Sequence, residues 1–225
     1  MNFLKIKNFL LVFLIIFSYL ISVVKTYAVD ITADRTISSS SDGDQYNIKT
    51  NNDIDVIVTN NSTLERNQKI FNVSAASLTG SSITIHLGSS VIAETNSIFS
   101  NGAELTITNT GTIEATNSKA INVSNSDGVS ITNNNNGVIK SNNNTILGDA
   151  GTGADNVTID NSGEIYTTAT GTESSAIVFA NNDTGNTITN NSGGEIYSSG
   201  SESTIVLGVS STLTNSGSIK NNKSV

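Results

Sequence analysis

The stretch Ile107-Thr108-Asn109-Thr110-Gly111-Thr112-Ile113 decides how this chain folds, because it returns along the sequence with its chemistry nearly intact. It recurs as Ile159-Asp160-Asn161-Ser162-Gly163-Glu164-Ile165 and as Leu213-Thr214-Asn215-Ser216-Gly217-Ser218-Ile219. Two copies carry short insertions: Ile131-Thr132-Asn133 continues to Gly137-Val138-Ile139, and Ile188-Thr189-Asn190 continues to Gly194-Glu195-Ile196. Weaker copies precede them, Val58-Thr59-Asn60-Asn61-Ser62-Thr63-Leu64 and Ile85-His86-Leu87-Gly88-Ser89-Ser90-Val91. Anchored at 58, 85, 107, 131, 159, 188 and 213, the copies stand 22 to 29 residues apart.

Each copy but the last is followed by a second short apolar run, such as Ile70-Phe71-Asn72-Val73, Ile121-Asn122-Val123 and Ile177-Val178-Phe179. A repeat of two or three short strands with variable turns suits one coil of a solenoid and is too short for a four-stranded propeller blade. The sequence therefore predicts an all-β fold, a right-handed parallel β-helix (β-solenoid) of about six to seven coils. The hand is the one that parallel crossovers adopt.

Parity assigns the faces. Side chains two residues apart on a strand share a face, so Ile107, Asn109 and Ile113 point the same way, and that way is inward. The isoleucines of successive coils then stack into a narrow core. Asn109, Asn133, Asn161, Asn190 and Asn215 are expected to stack as an asparagine ladder at the bend between strands, each amide donating to one neighbour and accepting from the other. The glycine that follows, together with the tolerance of left-handed conformations by the asparagine itself, is expected to let the backbone turn the corner.

The N-terminus reads as an export signal. Lys5 and Lys7 precede an apolar run from Phe9 to Val24, and Thr26-Tyr27-Ala28 offers small residues for cleavage after Ala28. This divides the chain into a signal peptide, 1–28, an N-terminal cap or lead-in segment, 29–49, and the repeats, 50–225. Cleavage removes three lysines and no acids, leaving eight basic and nineteen acidic side chains, a net charge of −11. So acidic a chain is not expected to bind nucleic acid, and insertion of the mature part into a membrane is not expected either. With no cysteine, no disulfide framework can hold it.

Chemistry-bearing residues are sparse. His86 alternates with inward apolar residues and is expected to face solvent; a zinc site has no ligand set. Glu164 and Glu195 occupy equivalent outward positions on consecutive coils, where like charges repel unless a cation or a shifted pKa intervenes. Tyr166 and Tyr197 share the next outward column and, with Glu114, Lys140 and Lys220, form a row across five coils. Stacked exposed tyrosines can hold a sugar ring, so Tyr166, Tyr197, Glu164 and Glu195 are the candidate ligand-binding residues. Gly151 to Val157 approaches a calcium-binding nonapeptide with Asp155 as candidate ligand, but a single copy lacks the tandem turn that completes such sites, and a glycine-rich loop is the better reading. No catalytic residue, metal or cofactor is expected.

Ile107 to Ile113, Ile159 to Ile165 and Leu213 to Ile219, behind an export signal, resemble the coils of autotransporter passenger domains, and the resemblance spans roughly residues 50 to 225. It implies an exported, surface-displayed, adhesin-like module that contacts a host or environmental surface, with a glycan as candidate ligand. It also implies an outer-membrane or secreted location where a C-terminal barrel follows, and a periplasmic one where none does. No barrel-like run of strands is visible, so a truncated solenoid with some end-to-end self-association is the expectation. The long stretches Asn142 to Asn156 and Thr167 to Ser175 are expected as surface turns. Two other functions are in view. A carbohydrate-active enzyme, a polysaccharide lyase or hydrolase, would need a cluster of three or more acids on one groove. An ice-binding solenoid is suggested by Thr106, Thr108, Thr110 and Thr112, but the equivalents of Thr112 are Val138, Glu164, Glu195 and Ser218.

Overall fold

The computed structural model describes residues 28–49, 53–59, 61–74, 79–102, 104–148 and 153–221; the expected signal peptide, save Ala28, lies outside them. These residues wind into three sheets of eight parallel strands, each rung adding one strand to each sheet in turn. The first sheet runs from Ala28–Ile31 to Ile205–Val206, the second from Arg35–Ile37 to Thr212–Asn215, and the third from Ser41–Asp42 to Ser218–Asn221. The chain is thus a parallel β-solenoid, in which six rungs have neighbours on both sides and the first and last on one.

The seven-residue repeat forms the second strand, the corner and the third strand of a rung, as in Leu105–Asn109 followed by Thr112–Ala115. The short apolar runs, such as Ile121–Asn122, form the first strand of the next rung. Alternation sends every second residue inward, giving buried columns of Ile107, Ile131 and Ile159 on the second sheet and Ile113, Ile139 and Ile165 on the third. Phe71, Ile98, Ile121, Ile146 and Ile177 close the core from the first sheet.

The register differs from the sequence alignment in the early copies. Ile107 pairs with Ile83, not Ile85, and Ile83 pairs with Val56, not Val58. Ile85 lies beside Asn109, so the position filled by asparagine in later rungs is apolar in the early ones. A slip of two residues keeps every side chain on its proper face, so parity could not detect it. The segment 29–49, expected as a cap, supplies the strands of the first rung and Gln45–Ile48 of the second.

The asparagines form a continuous hydrogen-bonded column. The side-chain amide of Asn109 donates to the side-chain oxygen of Asn133 at 2.9 Å, Asn133 to Asn161 at 2.8 Å, Asn161 to Asn190 at 2.8 Å and Asn190 to Asn215 at 2.8 Å. The same nitrogens reach two backbone carbonyls each; Asn161 donates to Gly163 O at 3.1 Å and to Glu195 O of the next rung at 3.3 Å. The first four are fully buried, whereas Asn215, in the last rung, is exposed.

The corner glycine has a different cause from the one expected. Gly111, Gly137, Gly163, Gly194 and Gly217 do not have positive φ; left-handed backbone occurs instead at Asn61, Gly88, Asn136 and Gly193, in the four-residue corners. What excludes a side chain is the rung below: a Cβ on Gly163 would lie 2.2 Å from Gly137 O and 2.6 Å from Asn134 O. The two long stretches also differ from expectation. Asn142 to Asn156 contains the buried strand Ile146–Leu147 and the buried Asn144, Thr145 and Ala154, and its residues 149–152 lie outside the described set. In Thr167 to Ser175 only part is surface: Thr168 and Thr170 to Glu173 are exposed, while Thr167, Ala169, Ser174 and Ser175 are buried. Inward parity and hydrogen bonding to adjacent rungs draw the remainder into the stack; the amide of Ser175, for example, donates to Asn144 Oδ1 at 2.9 Å.

Three substitutions, followed by urea unfolding, separate the ladder from the close corner packing. Asn161→Leu should cost about 1 to 3 kcal/mol, because the buried Asn133 amide nitrogen loses its side-chain acceptor and the buried Asn190 side-chain oxygen loses its donor. Gly163→Ala should cost a similar ~1 to 3 kcal/mol through overpacking against backbone oxygens. Gly171→Ala, where an added methyl meets nothing within 4 Å, should leave the midpoint unchanged.

Candidate functional site

The outward positions of the third sheet bring the candidate residues together. Glu114, Lys140, Tyr166, Tyr197 and Lys220 pair in unbroken register, one per rung, and Glu164 and Glu195 lie side by side in the column two residues earlier. Because the strands are parallel and regular, equal offsets from the buried isoleucines Ile113, Ile139, Ile165 and Ile196 place them there.

Opposite charges and like aromatics are adjacent within and between these two columns. Lys140 Nζ lies 3.0 Å from Glu114 Oε2, and Lys220 Nζ lies 3.4 Å from Glu195 Oε1. Burial opposes the charge on Lys140, yet the hydrogen bond and charge of Glu114, aided by Tyr166, outweigh it and raise its pKa. The partnership of Glu195 with Lys220 offsets the repulsion expected between Glu195 and Glu164. The rings of Tyr166 and Tyr197 stack with centroids 4.5 Å apart and planes 7° from parallel.

That stacking changes what the tyrosines can offer. One face of each ring is covered by the other, and the residues that pair with them in the adjacent rungs are Lys140 and Lys220. The pair presents ring edges and phenol hydroxyls, so it suits hydrogen bonding to a polyol better than stacking on a sugar ring. Burial raises the Tyr197 pKa above the ordinary phenol value, and Tyr166, Glu164 and Glu195 raise it further by disfavouring a second negative charge. Beside the row lies a shallow groove of about 280 Å³ lined by Glu114, Thr116, Lys140, Asn142, Tyr166 and Thr168.

The other candidates lie apart. His86 sits exposed in the corner just after the strand Ser81–Ile85, with Nδ1 3.1 Å from Thr59 Oγ1. Asp155 is on the turn between first and second sheets, and its Oδ1 accepts from Thr184 N at 2.6 Å and Thr184 Oγ1 at 3.0 Å, so the carboxylate ties two rungs together. Gly151 and Thr152 of the same motif lie outside the described residues. Among the described residues no group of three or more His, Cys, Asp or Glu side chains is placed to hold a metal ion.

Two polar features escaped the sequence reading. Arg66 points inward, 8% exposed, and donates to Gln45 Oε1 at 2.7 Å and Lys69 O at 3.0 Å. Its parity with Leu64 could have revealed this. Asp183 is fully buried and receives Ala154 N at 2.8 Å and Ala180 N at 2.7 Å, closing a turn that carries no repeat signature.

Against family models, characterised proteins and solved structures, the chain finds no significant match.

The tyrosine pair carries a pH dependence with a definite sign. A phenol whose pKa is raised on folding contributes its full stability below the unfolded-state value and loses it as pH rises through the folded-state value. The urea midpoint of the wild-type chain should accordingly decline above about pH 10. Tyr197→Phe, which has no phenol to ionise, should show a smaller decline over that range.

Proposed function

We propose that this chain is an exported, surface-displayed β-solenoid of the autotransporter-passenger type, acting in adhesion, with a glycan on a host or environmental surface as its ligand. The observation that carries the contact site is the outward row on the third sheet. Lys140, Lys220, Glu114 and the edges of the Tyr166–Tyr197 pair stand in register along one face and supply donors and acceptors beside a shallow groove. Such a strip matches the hydroxyl-rich edge of a saccharide, which offers hydrogen-bond partners at every residue. The apolar run from Phe9 to Val24, followed by small residues up to Ala28, supports export, and the resemblance of the Ile159 to Ile165 coil supports the passenger assignment.

Two measurements address the proposal. Antibody raised against the purified chain should label intact cells of the source organism; labelling only after permeabilisation would remove surface display. On a glycan array the chain should bind a defined subset of saccharides, and the double variant Lys140→Ser, Tyr166→Ser should lose that binding with an unchanged far-ultraviolet circular dichroism spectrum. Equal binding by the variant would place the contact elsewhere.

A further inference from the structure

The second sheet presents a different surface. The six strands from Ser81–Ile85 to Thr212–Asn215 pair in unbroken register, and each presents two outward positions. Of these twelve positions, nine are threonine, two are serine, at Ser82 and Ser130, and one is Asp160. All twelve are at least partly exposed. The third sheet provides an internal control, since its twelve equivalent outward positions lie on the same kind of strand in the same rungs and include only one threonine, Thr112. Strand propensity alone therefore does not produce the array. The string Thr106 to Thr112 is split by the fold: Thr106 and Thr108 join the second-sheet array, Thr110 lies in the corner and Thr112 on the third sheet. The departures at the equivalents of Thr112 thus belong to another face.

The threonine face is also chemically idle within the protein. The hydroxyls of Thr106, Thr108, Thr132, Thr187 and Thr189 have no hydrogen-bond partner among the described residues, whereas Ser82 donates to Asp55 at 2.6 Å and Asp160 accepts from Asn191. Each threonine offers a methyl and a hydroxyl from a β-branched carbon, and β-branching restricts χ1, so the columns can hold one orientation. Strand geometry sets their spacing at about 4.8 Å between rungs and about 6.7 Å between the two columns. These repeats lie close to those of oxygen atoms in hexagonal ice.

We propose that the outer face of the second sheet binds ice. The rigid rows of hydroxyls and methyls hold water in an ice-like net that joins the crystal. Each contact exchanges one water hydrogen bond for another and contributes little alone, so binding requires many aligned, rigid positions. The array has that form. It ends toward the N-terminus at Asp55 and Ile57, and its one charged interruption is Asp160. This inference is independent of the glycan reading, which uses the third sheet.

The test uses the full chain, purified and checked for folding by circular dichroism. The wild type should concentrate in slowly growing ice and show thermal hysteresis. Thr108→Tyr and Thr132→Tyr, which place a bulky ring on the exposed face, should reduce incorporation to that of an ordinary soluble protein. Asp160→Thr, which completes the column, should increase hysteresis. Tyr166→Ser, on the third sheet, should leave ice incorporation unchanged even where it abolishes glycan binding. Absence of hysteresis in the wild type, or hysteresis unaffected by both tyrosine variants, would overturn the proposal. So would retention on crystalline cellulose or chitin without incorporation into ice.

Discussion

In a parallel solenoid every side chain lies beside the residue at the same position one rung away, at about 4.8 Å, and each column must therefore be compatible with itself. Isoleucine satisfies this condition by packing on isoleucine, as at Ile107, Ile131 and Ile159. Asparagine satisfies it by hydrogen bonding to asparagine, since the amide carries a donor and an acceptor. An unpaired buried amide would be costly, and the ladder from Asn109 to Asn215 leaves none of its nitrogens without a partner up to Asn190. Arg66 cannot stack on a copy of itself, and the residue that pairs with it is the small Ala93.

The same constraint governs the turns. Where one rung projects a side chain along the axis, the next has glycine: Asp53 lies against Gly80, Asn61 against Gly88, Asn156 against Gly185 and Ser174 against Gly200. A Cβ at any of these glycines would meet the side chain from the neighbouring rung at 2.7 Å or less. At Gly80, Gly88 and Gly185 the backbone is also left-handed, so space and conformation favour the same residue. Glycine in this chain is thus often a response to the previous rung rather than a local turn signal.

That explains what the sequence did and did not reveal. The inward and outward faces of the repeats, the Asn ladder and the alignment of Glu164 with Glu195 and Tyr166 with Tyr197 follow from a period of two combined with a fixed motif. The register of Ile83 and Ile85 does not, because both residues face inward and only hydrogen bonding to Asn109 and Ile107 distinguishes them. The first rung was missed because Arg35–Ile37 and Ser41–Asp42 lack the asparagine and glycine that mark later rungs. The stacking of Tyr166 on Tyr197 was legible as adjacency, but the consequence that each covers a face of the other required the ring geometry.

Because outward columns interact mainly with themselves, two faces of one solenoid can diverge without disturbing the shared core. The third sheet carries Glu114, Lys140, Tyr166 and Tyr197 in succession, so each rung differs from the next, and such a strip can distinguish one discrete ligand from another. The second sheet repeats nearly the same pair of residues from rung to rung. Repetition carries little information about a small ligand but multiplies weak contacts with a partner that is itself periodic. Both faces hang on the same buried isoleucines. A core substitution should therefore weaken them together, whereas an outward substitution on either face should leave the other intact.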